Sequence, residues 1–314
     1  LNPGATAAQI NSAIASCPAG QVVFLNAGTY NITSAGILFD AKSNVTLRGA
    51  GPNLTILKFT AGCAGTIGAN VCVQNANGGN WWAGSPGNVS NWTAGYAKGS
   101  AQITLSTTAN LQVGTIVILD QLDDTTDDGT IYNCFTVTTC TEQGPDAGRT
   151  GRGQHQTVRV TAINGSLVTI TPPLNMPNWR ADRAPQAWWS SNLPVSGVGI
   201  ENLTLDHAGA AQSEYGIQFI NAVNGWVRNV RSINSKNAHI NFYQSSHVTV
   251  RDSYFYGVQG GGSQSYGMEP WLADDLLIEN NIFQHVTNAI IHSGSTASVF
   301  AYNYAIDDFF INPT

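Results

Sequence analysis

Glu269, His239 and His292 are the groups of this chain whose chemistry and neighbours suit proton transfer, and Gln218, Asn241, Tyr243, Trp271 and Glu214 are the polar and aromatic side chains that fall near them. Pro270 and Trp271 lower the polarity around Glu269 and so raise its pKa, which fits a carboxylic acid that protonates a leaving-group oxygen. Hydrolysis of a sugar bond needs a second carboxyl group about 5 to 9.5 Å away. Glu214, two strands off and displaced by about 10 Å, stands at the outer limit for an inverting pair. Elimination from a uronate polymer asks instead for a base, which His239 or His292 supplies, and for an arginine or a calcium ion to hold the developing enolate. The first three residues are read as catalytic and the other five as substrate-binding.

These residues are brought together by a repeat. Ile200-Glu201-Asn202, Val227-Arg228-Asn229, Val250-Arg251-Asp252, Ile278-Glu279-Asn280 and, loosely, Phe300-Ala301-Tyr302 follow one another at spacings of 27, 23, 28 and 22 residues. A β-branched phrase of that period ending on Asn or Asp marks one supersecondary unit stacked on copies of itself. Registering the chain on it aligns the strands Gly216–Ile220, His239–Tyr243 and Gly267–Trp271. Period-two alternation then sends Ile217, Ile240 and Met268 inward with Phe219, Phe242 and Pro270, and turns Gln218, Asn241 and Glu269 outward in one column. His292 joins that column after a one-residue adjustment, and His239, Tyr243 and Trp271 flank it. Beside each bend, Glu201, Arg228, Arg251 and Glu279 make a second column, read as a surface ion-pair ladder with a uronate patch as the alternative.

Composition narrows the function classes. Only 10% of the 314 residues are charged, the net charge is -6, and no Lys/Arg run exists, so a nucleic-acid partner is excluded. No apolar stretch reaches the roughly 18 residues of a membrane span. Leu1 is not an initiator Met, which points to a segment removed from the front and to a secreted or periplasmic protein. Cys63 with Cys72 and Cys134 with Cys140 have the short separations of local disulfides, and Cys17 is left over as a buried thiol or the partner of a residue upstream.

Thr6 and Gln9 form a capping box for a helix carrying Ile10, Ala13, Ile14 and Cys17 on one face. Gly20 to Phe24, Ala27 to Tyr30 and Leu47 to Gly51 follow, and together with that helix they resemble the opening coils of the pectate-lyase-like superfamily. The resemblance implies a right-handed parallel β-helix, an all-β fold with an N-terminal capping helix. It also implies that Asn202, Asn229, Asp252 and Asn280 stack as a structural ladder at the bends, and that polysaccharide binds over the strand preceding each bend. Asp206-His207 is similar to the Asp-His of pectate lyases. The Arg-x-Pro-x-x-Arg segment of those enzymes is missing, as are the Asn-Thr-Asp and Gly-His-Gly runs of polygalacturonases.

The texture changes between 99 and 175, where alternating runs and the Asn164-Gly165 turn predict an inserted antiparallel β module. The expected organisation is a cap with the first coils over 1–98, the inserted module over 99–175, and stacked coils bearing the site over 176–314. Asp120, Asp123, Asp124, Asp127 and Asp128 in the module's long loop offer oxygen ligands to calcium. They lack loop-site spacing and are read first as a solvated acidic stretch, so no metal site is assigned and no cofactor is required. The chain stops inside a further coil, which predicts that the protein continues or self-associates through that open end. Together these features predict a polysaccharide-active protein, a glycoside hydrolase ahead of a polysaccharide lyase, with a non-catalytic carbohydrate-binding or adhesive β-helix as the other class.

Overall fold

The computed structural model describes residues 1–63, 68–75, 86–123, 149, 151–210, 215–259, 265–292 and 295–308. Thr6 and Gln9 make the predicted capping box on helix Ala7–Ser16, and the helix seats Ala7, Ile10 and Ile14 in the core of the first coil. Short β-branched strands between Asn, Asp and Gly bends cannot pair with their immediate neighbours in sequence. They pair instead one turn on, with the equivalent strand of the next coil.

Among the described residues this gives a 12-stranded sheet and a 6-stranded sheet, both parallel. The molecule is a right-handed parallel β-helix. The repeat phrase is its register, since Ile200, Val227, Val250, Ile278 and Phe300 are successive partners. The residue closing each phrase takes left-handed backbone, with φ of 55° at Asn202, 52° at Asn229, 55° at Asp252 and 53° at Asn280. Short amide and carboxylate side chains tolerate that conformation best after glycine. Asn229 Nδ2 donates to Asn202 Oδ1 at 2.9 Å, and Asn280 Nδ2 to Asp252 Oδ1 at 2.8 Å.

The neighbouring column is an ion-pair ladder, as expected. Glu201 Oε2 meets Arg48 Nε at 2.8 Å and Arg228 Nη2 at 3.4 Å, and Arg251 Nη1 meets Glu279 Oε1 at 3.4 Å. Trp226 Nε1 donates to Glu201 Oε1 at 2.7 Å, and these partners hold the Glu201 carboxyl below its ordinary pKa against the opposing effect of burial.

The inserted module is a closed antiparallel barrel. Its strands run from Asn88–Ala94 to Gln186–Trp189, so it takes in residues on both sides of the expected 99–175 span. The reason is closure: Gln186–Trp189 pairs with Asn88–Ala94 on one side and with Ile116–Asp120 on the other, which leaves no open edge. Trp92, Val117, Leu119, Val158, Val168 and Trp189 fill it. The β-helix register passes straight over this insertion, because Leu47 pairs with Ile200 and Arg48 with Glu201.

Cys63 and Cys72 form the predicted disulfide, with Cα atoms 6.5 Å apart, and Cys17 is a free, buried thiol. Cys134 and Cys140 lie outside the described residues. No helix among the described residues is long and apolar enough to cross a membrane. Val299, Tyr302, Tyr304 and Ile306 on the last described coil are exposed.

Candidate functional site

The 6-stranded sheet positions the predicted site. Its strands Tyr215–Ile220, Ile240–Tyr243 and Tyr266–Trp271 pair with Ile217, Ile240 and Met268 level, then Gln218, Asn241 and Glu269, then Phe219, Phe242 and Pro270. The first and third rows are core, and Phe219 stacks on Phe242 at 5.7 Å. The middle row faces away from it as a ladder. Gln218 Nε2 donates to Asn241 Oδ1 at 3.0 Å, and Asn241 Nδ2 donates to the Glu269 carbonyl at 3.2 Å and to Glu269 Oε2 at 3.3 Å.

Gln218, Asn241 and Glu269 are only 1%, 0% and 5% exposed. Buried amides need partners, and here they find them in one another, so that the column reads amide, amide, carboxylate. Two residues further along each strand, Ile220, Tyr243 and Trp271 make the next outward column. The barrel rests on it through Ile118 and Trp188. Tyr243 and Trp271 were expected to bind substrate; the structure instead packs them, buried, between β-helix and barrel. Alternation predicted the face correctly but not the object covering it.

His239 departs further from expectation. Its strand begins only at Ile240, and the bend at Ala238 and His239 turns the imidazole inside rather than out. Nδ1 lies 2.8 Å from Ser232 Oγ, and Nε2 lies 2.9 Å from the Gly257 carbonyl. Ser232 Oγ is also 3.0 Å from His207 Nε2, and His207 Nδ1 is 2.7 Å from Asn70 Oδ1. Gly216 lies against this corner, where a Cβ would fall 2.8 Å from His207 Nε2.

The ends of that chain, Asn70 Oδ1 and Gly257 O, both accept. Two neutral imidazoles and one hydroxyl therefore supply three protons for four contacts. Taking up the missing proton is opposed by burial, which lowers the His239 pKa to about 3 and that of His207 well below its usual value. His239 is thus an interior residue with both nitrogens engaged, not a base on the outer face. Ser232 and Asn70 were missed by sequence reasoning; the available signal was a polar residue at an inward position of a strand.

His292 does not join the column either. Met268 pairs with Ile290, without the one-residue adjustment, and the exposed His292 ring meets Phe300 edge-on at 4.5 Å. Partial desolvation lowers its pKa. Glu214 lies outside the described residues. Of the expected site, Gln218, Asn241 and Glu269 are brought together; His239 and His292 are not.

Two further carboxylates lie at the junction with the barrel. Asp274 is fully buried and accepts from Thr157 N at 2.7 Å, Thr296 N at 2.5 Å and Thr296 Oγ1 at 2.9 Å, tying barrel to coil, and burial pushes its pKa up to about 7. Asp120 is paired with Arg149 and Arg152. Of the acidic stretch read first as solvated, with calcium as the alternative, Asp120 is instead buried and so engaged, and Asp123 Oδ1 accepts from Gly153 N at 2.6 Å. Asp124, Asp127 and Asp128 lie outside the described residues. Among the described residues no cluster of three or more His, Cys, Asp or Glu side chains is placed to hold a metal.

No protein-family model matches the sequence, and no curated protein does. Solved structures do. The tailspike gp61 of Pseudomonas phage phi297 aligns over 95% of this chain with a TM-score of 0.60 at 13% identity, and the tailspike gp49 of Pseudomonas phage LKA1 over 96% with a TM-score of 0.55 at 17% identity. The chain spans 44% and 48% of those two proteins. At such identities the likeness is one of fold, the parallel β-helix.

Proposed function

We propose that this chain is a secreted, polysaccharide-active β-helix of the pectate-lyase-like superfamily, and that it hydrolyses a glycosidic bond on the outer face of the 6-stranded sheet with Glu269 as general acid. The observation that carries the reading is the outward ladder Gln218–Asn241–Glu269, where strand geometry alone demands no polar side chain. Asn241 holds Glu269 Oε2, and Pro270 and Trp271 follow the carboxyl in sequence, an arrangement suited to presenting a proton to a sugar oxygen. Elimination loses support, because His239 is enclosed with both nitrogens in contacts and His292 is turned onto Phe300. Secretion is supported by the Cys63–Cys72 disulfide.

Incubation of the protein with a panel of soluble polysaccharides tests the reading. New reducing ends without ultraviolet absorbance, lost in Glu269→Gln, are the expected result. Absorbance from unsaturated products would replace hydrolysis with elimination. Unchanged reducing-end release by Glu269→Gln would remove Glu269 from the mechanism. Glycan binding with no product at all would leave the non-catalytic, adhesive reading. Self-association is tested by sedimentation velocity, where a monomer at all concentrations would remove it.

A further inference from the structure

At the rim of the barrel two guanidinium groups converge on one carboxylate. Arg149 donates to Asp120 through Nε at 2.7 Å and Nη2 at 2.5 Å, and Arg152 Nη1 donates to Asp120 Oδ1 at 2.9 Å. Trp188 Nε1 adds a fourth donor to Asp120 Oδ2 at 3.0 Å. Arg149 Nη2 also reaches Gln186 Oε1 at 2.9 Å, and Arg152 Nη1 the Ala184 carbonyl at 3.1 Å. Asp120 is 1% exposed, while the two arginine side chains keep 16% and 12% of their surface open.

A guanidinium carries five N–H donors. Arg149 uses Nε and Nη2, and Arg152 uses Nη1, so Nη1 of the first and Nε and Nη2 of the second have no protein partner among the described residues. Among the described residues Asp120 is the one carboxylate in hydrogen-bond contact with these two cations. Asp123, the next carboxyl, accepts from Gly153 N and acts on Arg152 through space only. A largely buried cation without a full partner is costly to the fold. An anion from outside would relieve that cost.

The position fixes which anion matters. The Arg149 guanidinium lies 5.9 Å from the centre of the Trp188 ring, and Trp188 packs with Tyr243 and Trp271, which stand two residues along from Asn241 and Glu269. Asp120 itself shows that a planar carboxylate is taken side-on by Arg149, with Arg152 adding a single bond. We infer that the inserted barrel is a substrate-recognition element, in which Arg149 and Arg152 receive the carboxylate of an acidic sugar unit in the polysaccharide acted on at the adjoining sheet. This rests on the polysaccharide reading above.

Binding is measured by affinity electrophoresis against polygalacturonate, alginate and hyaluronan, each beside its carboxyl-reduced form. The net charge of -6 repels polyanions at long range, so a preference for the acidic form has to arise locally. At least one acidic polymer is expected to bind about tenfold or more tightly than its reduced form. Arg152→Gln, with an unchanged melting temperature, is expected to erase that ratio, and Arg152→Lys to retain part of it. Arg180→Gln, at the exposed pair with Asp182, is expected to leave it intact. Equal affinity for acidic and reduced polymers overturns the inference while leaving the polysaccharide reading in place, as does a ratio that survives Arg152→Gln. Binding to none of the six polymers removes the polysaccharide reading, and the inference with it.

Discussion

Two columns of polar side chains run along this β-helix, and they are polar for different reasons. Asn202, Asn229, Asp252 and Asn280 occupy left-handed bends, where the backbone itself selects a short amide or carboxylate. Gln218, Asn241 and Glu269 lie in extended strands whose backbone groups are already paired across the sheet. Valine or threonine would serve those positions equally well as far as the strand is concerned. A polar column that the backbone requires carries no information about activity; one that it does not require is where activity should be sought.

Glu269→Gln breaks the comparison most forcefully if it is wrong. About 10²-fold or more of the turnover should disappear, as for removal of a general acid, while Asn229→Ala should retain full turnover in the same reducing-end assay. The second effect concerns the interior. His207→Ala removes a ring stacked on Phe59 and takes one partner each from Asn70 and Ser232, which should cost about 3 to 4 kcal/mol in urea denaturation. Asn229→Ala, losing one rung and a tolerated left-handed residue, should cost about 1 to 2 kcal/mol.

pH sharpens the contrast between buried groups. His207 and His239 have depressed pKa values in the folded protein, so between their folded values and about 6.5 the unfolded chain binds more protons and acid weakens the fold. Asp274, raised to about 7, acts in the opposite sense, since between 3.8 and 7 the folded protein is the better proton binder. Below about pH 6 two histidines oppose one aspartate, so stability should fall as acid is added. Asp274→Asn should steepen that fall in urea melts, and His239→Phe should flatten it. The smallest effect is at Tyr302, a bulky side chain at φ 57° where the other coils carry Asn or Asp. Tyr302→Asn should stabilise the protein by up to about 1 kcal/mol, read as a higher urea midpoint.

Much of this was legible in the sequence, because stacking converts spacing into register. Val227 and Val250 are partners as read, and Ile217, Ile240 and Met268, spaced as the repeat phrases beside them are, stay in register through three strands. His239 was misplaced because alternation holds only inside an extended strand, and it sits one residue before the strand begins. Tyr243 and Trp271 were put on the right face, but what covers a face is decided by residues far along the chain, here Ile118 and Trp188. The barrel's outer strands were hidden for the same reason, since Asn88 and Trp189 find each other across 101 residues.

That pairing also bears on the route by which the chain reaches its native state. Arg48 and Glu201 must meet across a sequence separation of 153 before the third coil can stack on the first two. If the barrel forms first, the Asn88–Trp189 pairing removes about two thirds of that span, and the entropy of closing what remains falls by about 1 kcal/mol. The inserted barrel is then a nucleus for the coils it packs against through Ile118 and Trp188, and the rate at which the β-helix zips shut is set outside the β-helix.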